Sequence, residues 1–409
     1  MKKKNYWLYF EPYVHININT NGSIIYNTLN SKYIEFSPNN VVTKLLKEVL
    51  LQENLYIIQL NDYELENKEV NNFIKMMREY FIGDIFEKEW SFKKPIQAIP
   101  INRIENKIEI SKQNEDIKEM ENLDEIILFL NSSTDKITNI EKQLNFCSPN
   151  FHIEQQIDYE IIKNLFNTLK SCKFVFSGAD VFSFTFFEDF VKEILNNNLN
   201  TTFNINYLNK NLNTNRIKLI EDTNIIINIF VSTPINENVL KEVIKILDKF
   251  RITYFIEFIV EKSNDIDIFE NIINKLNIGH YSFIPFYNGE NIDLFKNAVF
   301  QNKEDILNSE ITIQNLLARQ EINQHDFGKL YITTNADVYA NLNKQKLGNL
   351  KKNKIYELIR KELCSKNSWR LLRKDVKPCK SCVYNLLCPS ISNYELVIGK
   401  NNLCHVWED

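Results

Sequence analysis

Alternation of hydrophobic and polar positions with a period of two dominates the first ninety residues. It is clear over residues 13–18, and the runs "SIIYNTL", "KYIEF" and "NLYIIQL" continue it. Asn21-Gly22 predicts a hairpin turn. "NNVVTKLLKEVLLQ" has apolar residues at helical spacing after an Asn cap candidate, and "NKEVNNFIKMMREYFIGDIF" predicts a second helix ending near Gly83. The pattern predicts a small α+β module over residues 1–90, winged-helix-like in type.

Strand and helix patterns alternate from residue 123 onward. Strands are predicted in "EIILFL", "KFVFSG", "TTFNINYL", "NIIINIFV", "TYFIEFIV" and "YSFIPF", with helical stretches between them. Such alternation implies right-handed crossovers and a parallel sheet or partial (β/α) barrel, here over residues 123–325. Residues 91–122 are polar and are predicted to form a linker. Residues 326–409 form a last region, with a hairpin near Asn335-Ala336 and a helix in "KIYELIRKELC".

Net charge and composition exclude some classes of binding partner. The formal net charge is −4 over 409 residues, so no basic excess indicates a nucleic-acid or anionic-membrane partner. The N-terminal residues lack the apolar stretch of a signal peptide, and no apolar run approaches the length needed to span a bilayer. We therefore expect a cytoplasmic protein, in which thiols stay reduced.

Four of the seven cysteines fall in the last thirty-one residues. Their spacing is C-x2-C-x5-C-x15-C, and four thiolates suit either a [4Fe–4S] cluster or tetrahedral zinc. Zinc sites usually pair two short hooks, and the second hook is missing here. Pro389 follows the third cysteine, as in some ferredoxin ligand runs. A cluster is favoured over zinc, and over four packed thiols without a metal. The candidate ligands are Cys379, Cys382, Cys388 and Cys404.

The run "CKSCVYNLLCPS" with a later cysteine resembles the C-terminal half of a SPASM domain, the auxiliary-cluster domain of radical SAM peptide-modifying enzymes. The resemblance implies that these four cysteines bind one auxiliary [4Fe–4S] cluster. The family's next cysteine falls on Ser392, and its upstream ligands are missing. A second auxiliary cluster is therefore not expected. Cys364 fits neither spacing and is interpreted as a packed helical thiol.

Radical SAM enzymes hold their S-adenosylmethionine-cleaving cluster with C-x3-C-x2-C after the first barrel strand. By that resemblance the three positions fall on Thr134, Thr138 and Glu141, and the motif occurs nowhere in the chain. S-adenosylmethionine is therefore not expected as a cofactor, and no catalytic residue is assigned. The Gly-Gly-Glu-like stretch that touches the methionine amine falls on "SGAD", which keeps only Gly178 and Asp180. The isolated Cys147 and Cys172 are expected to be buried.

The whole chain resembles the pseudo-radical-SAM proteins of Bacteroidales peptide-maturation systems. Phrases such as "EPYVHI", "YFIGDIF" and "CPSISNYELVIGKNNLCHV" carry the resemblance. It implies an accessory protein that binds a ribosomal precursor peptide, with a leader ending in Gly-Gly, and presents it to a partner modifying enzyme. Two alternatives stay open: an active radical SAM/SPASM-type enzyme with a non-standard site, and a non-catalytic scaffold.

Other patterns add little chemistry. The five histidines form no H-x-x-x-H pair, and no phosphate-binding glycine loop occurs. The aromatic stretch "FVFSGADVFSFTFF" is more typical of a packed core than of a peptide groove. Within residues 1–90, a leader peptide is expected to add as a strand at a free sheet edge, with the helix at about 41–51 as the other wall. The alternative is that this module only covers the barrel.

Overall fold

The computed structural model describes residues 4–90, 93–95, 119–134, 136–146, 153–209, 212 and 214–406. Cys147, His152 and most of the predicted linker lie outside these ranges. No helix in the described ranges is long and apolar enough to cross a membrane.

The N-terminal part contains two three-stranded antiparallel sheets and helices. One sheet has the order β5-β1-β6 and the other β2-β3-β4. The elements are β1 (Asn5–Phe10), β2 (Val14–Asn19), β3 (Gly22–Asn27), β4 (Tyr33–Phe36), α1 (Val41–Val49), β5 (Ile57–Asn61), α2 (Asp62–Glu66), α3 (Lys68–Glu79) and β6 (Gly83–Glu87).

Local signals account for most of these bounds. The Asn40 side chain accepts a hydrogen bond from the backbone N–H of Val42, as a helix N-cap does. The β2–β3 turn falls on Thr20 and Asn21, one residue before the predicted Asn21-Gly22 turn. Gly22 instead opens β3 with φ of 146°, where a Cβ would come within 2.5 Å of the carbonyl oxygen of Phe36.

One expectation for this region was wrong, and one strand was not predicted. The helix predicted to run to Gly83 ends at Glu79, and residues 83–87 form a strand instead. Residues 5–10 also form a strand, which the sequence pattern did not predict. It is the central strand of its sheet, and Leu8 and Phe10 on it are buried in the module's hydrophobic core.

Six parallel strands in sequence order build the large sheet. They are β7 (Glu125–Phe129), β10 (Lys173–Ser177), β11 (Thr201–Asn206), β12 (Ile226–Ser232), β13 (Tyr254–Val260) and β14 (Tyr281–Pro285). A short pair, β8 (Asn131–Ser132) and β9 (Gln155–Gln156), follows β7. The helices after β7 are α4 (Asn139–Leu144), α5 (Tyr159–Thr168), α6 (Phe187–Asn196), α7 (Thr214–Lys218), α8 (Glu237–Lys249) and α9 (Asp265–Leu276). All six predicted strands are present.

The main hydrophobic core lies between this sheet and its helices. The aromatic stretch belongs to that core: Phe174, Phe176, Phe182, Phe184 and Phe187 are all fully buried. Alternate strand residues point to the other face of the sheet, called the inner face below. It carries smaller apolar clusters around Ile127 and Phe230.

The C-terminal part continues the same sheet. β15 (Lys329–Ile332) pairs in parallel with β7, and the predicted hairpin joins it to the antiparallel β16 (Asp337–Tyr339) and β17 (Gly348–Asn349). The remaining helices are α10 (Ile292–Ala298), α11 (Lys303–Asn308), α12 (Ile313–Glu321), α13 (Ile355–Leu363) and α14 (Asn393–Ile398). Short 3₁₀ turns include Arg373–Asp375 and Cys379–Ser381.

Candidate functional site

The four predicted ligand cysteines line one small cavity near the C-terminus. Arg373, Asn385 and Asn402 line it too. Cys379 and Cys382 are buried, and Cys388 and Cys404 are partly buried. The structure therefore brings all four candidate thiols together from separate segments.

Backbone hydrogen bonds place each thiol. The turn 379–381 closes with the Cys382 N–H donating to the carbonyl of Cys379 at 2.9 Å, and the Cys388 N–H donates to the carbonyl of Tyr384 at 2.9 Å. Cys404 comes from a returning segment that pairs with Gln301. The Gln301 N–H donates to Leu403, and the Gln301 carbonyl accepts from His405. A contact with a residue about a hundred positions upstream thus sets the fourth thiol.

Arg373 links the pieces around the cavity. Its guanidinium donates to the carbonyls of Pro389 and, at 3.0 Å, Asn401, and it lies 3.7 Å from the sulfur of Cys379. It also forms an ion pair of 2.7 Å with Glu395, whose side chain is only 2% exposed. Burial opposes its charge, but Glu395 and the nearby thiols hold the pKa of Arg373 above its ordinary value. The cavity therefore contains one permanent positive charge.

Burial in the cavity makes two of its thiols weaker acids. Burial raises the pKa of Cys379 and of Cys388, and Arg373 offsets only part of this rise. Thiolates in this cavity therefore need additional positive charge, which a metal or iron–sulfur cluster supplies. An all-sulfur donor set suits such a soft centre.

The chemistry of these four side chains thus fits a four-thiolate cluster. In the described ranges, however, no group of three or more His, Cys, Asp or Glu residues has closed to metal-binding geometry. Ligation would require the four thiols to move closer together than they are in the structure.

The loop after β7 carries the three oxygen side chains that the sequence resemblance aligned with the radical SAM cluster ligands. Thr138 and Glu141 form a capping box at the start of α4. The Thr138 hydroxyl accepts from the Glu141 N–H at 3.3 Å, and the Glu141 carboxylate accepts from the Thr138 N–H at 2.5 Å. Thr134 exchanges hydrogen bonds with its neighbours, donating to the Lys136 carbonyl at 2.9 Å. Local hydrogen bonds therefore engage the side chains at all three of these positions.

The residues that follow β10 are also engaged in local contacts. Gly178 has φ of 150°, and a Cβ there would meet the Asn131 side chain at 2.6 Å. Asp180 is buried, and its carboxylate accepts from the N–H of Phe182 and from the side chains of Ser183 and Asn209. The carboxylate that the resemblance aligned with an amine-binding residue thus caps a 3₁₀ turn.

The chain itself covers the inner face of the sheet. The Phe146 ring stacks on Phe230 with centroids 4.3 Å apart and planes at 14°. The Asn204 side chain donates to the carbonyl of Asn145 at 3.2 Å, and the Tyr394 hydroxyl donates to that of Pro285 at 2.7 Å. Segment 139–146 and the C-terminal helix therefore occupy part of the space above the parallel strands.

None of the other cysteines and histidines that the structure describes lines the cavity. Cys172 is buried as predicted, donates to the Leu123 carbonyl at 3.3 Å, and has its pKa raised by burial to about 11. Cys364 is partly buried just after α13. His15 is buried, and burial lowers its pKa to about 4. His405 follows Cys404 and contacts the Lys296 carbonyl.

Sequence reasoning missed Arg373, Glu395 and Gln301. The missing cysteine of the family pattern, at Ser392, offered one signal. Ser392 is the N-cap of α14, and its N–H donates to Glu395 at 2.6 Å, so "SNYE" has the spacing of a capping box. Nothing local marks Arg373 or Gln301, because their partners are remote in sequence.

No protein-family model matches the sequence, and no curated protein matches it. Solved structures do match. SuiB from Streptococcus suis, in a crystal structure with the precursor peptide SuiA, aligns over 97% of both chains with 12% identity and a TM-score of 0.51.

The chain is similar to SuiB over nearly its whole length. SuiB bound to S-adenosylmethionine aligns over 96% of this chain and 97% of its own, with 11% identity and a TM-score of 0.50. A structure of anSMEcpe with AdoMet and a peptide gives a TM-score of only 0.43 over 64% of this chain and 87% of its own, with 14% identity. At such identities the likeness to SuiB shows the fold alone. It confirms the predicted mixed α/β, radical-SAM-like fold with a large parallel sheet.

Proposed function

We propose that this chain is an accessory protein of ribosomal peptide maturation. It binds a precursor peptide, presents it to a partner modifying enzyme and carries one [4Fe–4S] cluster on Cys379, Cys382, Cys388 and Cys404. One observation supports this most: the fold is that of a protein solved with a precursor peptide and with S-adenosylmethionine, yet Thr134, Thr138 and Glu141 stand in the loop where thiolates would be required.

The loop after β7 argues against cleavage of S-adenosylmethionine. Hydroxyl and carboxylate oxygens are hard donors and do not replace thiolates on an iron–sulfur cluster. In addition, Thr138 and Glu141 are already bonded to each other's backbone. Reduced, iron-reconstituted protein incubated with the cofactor is expected to yield no 5′-deoxyadenosine above a blank. Catalytic turnover would contradict the accessory role and favour an active enzyme.

A cluster on four cysteines has no open iron site, so its role here is structural or electron-relaying. When bound, it supplies a crosslink between chain segments and one-electron transfer. The residues of this chain bind and orient it. Arg373 holds the carbonyls of Pro389 and Asn401 beside Cys379, and Gln301 fixes the strand that carries Cys404.

The outer edge of β4, with which no other described strand pairs, is the proposed peptide site. The β2-β3-β4 sheet ends at this strand. The Asn27 N–H bonds the Lys32 carbonyl, so alternation along an antiparallel pair directs the backbone groups of Tyr33 and Glu35 away from β3. An added strand would bond there. The Phe36 ring meets Phe73 of α3 edge-on at 5.5 Å, which makes α3, rather than α1 as predicted from sequence, the better candidate for the groove's other wall.

A matched pair of variants at Tyr33 tests this site in the full chain. Tyr33→Pro removes an outward N–H, while Tyr33→Thr removes the ring and keeps that N–H. The probe is a fluorescent synthetic leader ending in Gly-Gly, taken from a short reading frame beside the gene. We expect micromolar binding, near −8 kcal/mol, for the native chain and Tyr33→Thr, and at least tenfold weaker binding for Tyr33→Pro. Equal affinities for the two variants would place recognition elsewhere.

A further inference from the structure

The β2-β3-β4 sheet has a second face, which packs on the cysteine segment. Ile24 and Tyr26 of β3 share a hydrophobic cluster with Cys382, Tyr384 and Leu387. Helices α11 and α12 complete the cluster through residues including Ile306, Leu307 and Leu316. One apolar core thus contains both the middle strand of the N-terminal sheet and one candidate ligand.

Polar contacts fix the same interface. The Tyr384 hydroxyl donates to the Glu35 carboxylate at 2.6 Å, and the other oxygen of that carboxylate pairs with Lys303 at 2.6 Å. Asn17 on β2 donates to the Val383 carbonyl at 2.8 Å and to the Asn385 side chain at 2.9 Å. Both outer strands of the sheet therefore bond the three residues directly after Cys382.

Those residues form the turn between two candidate ligands. The Tyr384 carbonyl accepts from the N–H groups of Leu387 and Cys388, and the Asn385 N–H donates to the Cys382 carbonyl at 3.3 Å. Any shift that draws Cys382 and Cys388 onto a common metal centre must move or stiffen this turn. The Tyr384 side chain is mostly buried, so little slack separates the turn from Glu35.

We propose that metal loading of the cysteine site is transmitted to the edge strand β4 through Tyr384 and Glu35. A loaded site stiffens Tyr33–Phe36, the strand to which a peptide would add, and by reciprocity a peptide on that edge favours the loaded site. Precursor capture would then be strongest on the metal-loaded protein. This inference rests on the cluster and the peptide edge of the proposed function, and it adds the regulation of the one by the other.

Hydrogen exchange on the full chain measures the effect without any precursor. Anaerobic protein is compared before and after reconstitution with iron and sulfide, with iron content determined in each sample. Loading is expected to slow exchange at residues 33–36 about tenfold in the native chain, within the usual range of coupling between sites. Slowing confined to residues 373–404 would overturn the inference.

Variants distinguish a loss of transmission to β4 from a loss of metal loading at the cysteine site. Tyr384→Phe deletes the hydroxyl that bonds Glu35 and should load iron fully, yet lose the slowing at residues 33–36. Glu35→Leu removes the acceptor of that bond from a position outside the cysteine segment and should do the same. The control is Tyr394→Phe, which deletes a tyrosine hydroxyl bond of similar length, to Pro285, and should keep the slowing. Persistent slowing in Tyr384→Phe and Glu35→Leu would contradict the route. A native chain that takes up no iron would refute both the cluster and the inference. Iron uptake without slowing at residues 33–36 would refute only the inference.

Discussion

Two regions of the chain carry the positions that the sequence resemblance aligned with metal ligands. They are the loop after β7, residues 131–146 and called the mouth below, and the cysteine segment, residues 373–404. The two regions differ in what their polar side chains do. At the mouth, Thr138 and Glu141 satisfy each other's backbone. In the cysteine segment, four thiols line a shared cavity beside a buried Arg373. The side chains of the mouth cap a helix, while the four thiols face one common cavity.

The two regions also differ in how they relate to the main hydrophobic core. The parallel sheet is stabilised by the helices on its outer face, whose core does not include residues 131–146. Oxygen side chains in that loop therefore do not disturb this core. The cysteine segment has no regular sheet of its own. It depends on cavity-spanning contacts such as Arg373–Glu395, so a bound centre would contribute to its folding.

Replacement of one of the four candidate ligand cysteines should have the largest effect on metal binding. Cys382→Ser is expected to abolish the near-visible absorbance and the roughly four irons per chain of the reconstituted protein. Cys172→Ser is the matched control, because Cys172 is buried elsewhere and bonds the Leu123 carbonyl. Iron content and absorbance measure both. Stoichiometric zinc without iron in the native chain, or full iron in Cys382→Ser, would refute the assignment.

Removal of Arg373 tests whether the cysteine segment depends on its buried charge. Arg373→Met leaves Glu395 buried and unpaired, which should lower the free energy of unfolding by about 3–5 kcal/mol. Arg373→Met combined with Glu395→Gln removes both charges and should recover much of the loss. Urea denaturation of the proteins without metal measures this. Equal losses in the single and double variants would show that the ion pair is not the cause.

Acid should destabilise the β2-β3-β4 sheet, which carries His15 and packs on the cysteine segment, whereas the mouth contains no histidine. Burial lowers the pKa of His15 to about 4, below its ordinary value of 6.5. The unfolded chain then binds a proton that the folded chain does not. Stability is full above pH 6.5 and falls toward pH 4 by up to about 3 kcal/mol. His15→Asn should remove this part of the pH dependence in urea titrations, and an unchanged slope would count against it.

Substitutions in the mouth should have the smallest effect on stability. Thr138→Ala deletes one half of the capping box and should cost about 1 kcal/mol, whereas Thr138→Ser keeps the hydroxyl and should cost less. Neither change should alter iron content. Thermal unfolding and iron analysis measure the two effects. Loss of iron in Thr138→Ala would show that the mouth takes part in metal binding and would erase the contrast between the regions.

Sequence pattern by itself determined the elements and the chemistry of single residues. Strand and helix periods located β7, β10–β14 and four of the helices between them, because those periods depend on neighbours within one turn or one pleat. The short helices α4 and α7 were not predicted. The spacing around Cys379, Cys382 and Cys388 likewise needs only one short turn. The assignment of these cysteines to a cluster and the domain boundaries stay predictions.

Tertiary structure decided what depends on segments far apart. β1 was missed because its run reads as aromatic and unpatterned, and only pairing with β5 and β6 makes it a central strand. The place of Cys404 depends on Gln301, and the link from Glu35 to Tyr384 spans about 350 positions. Such contacts depend on how whole elements pack after long loops close, and no local period records them.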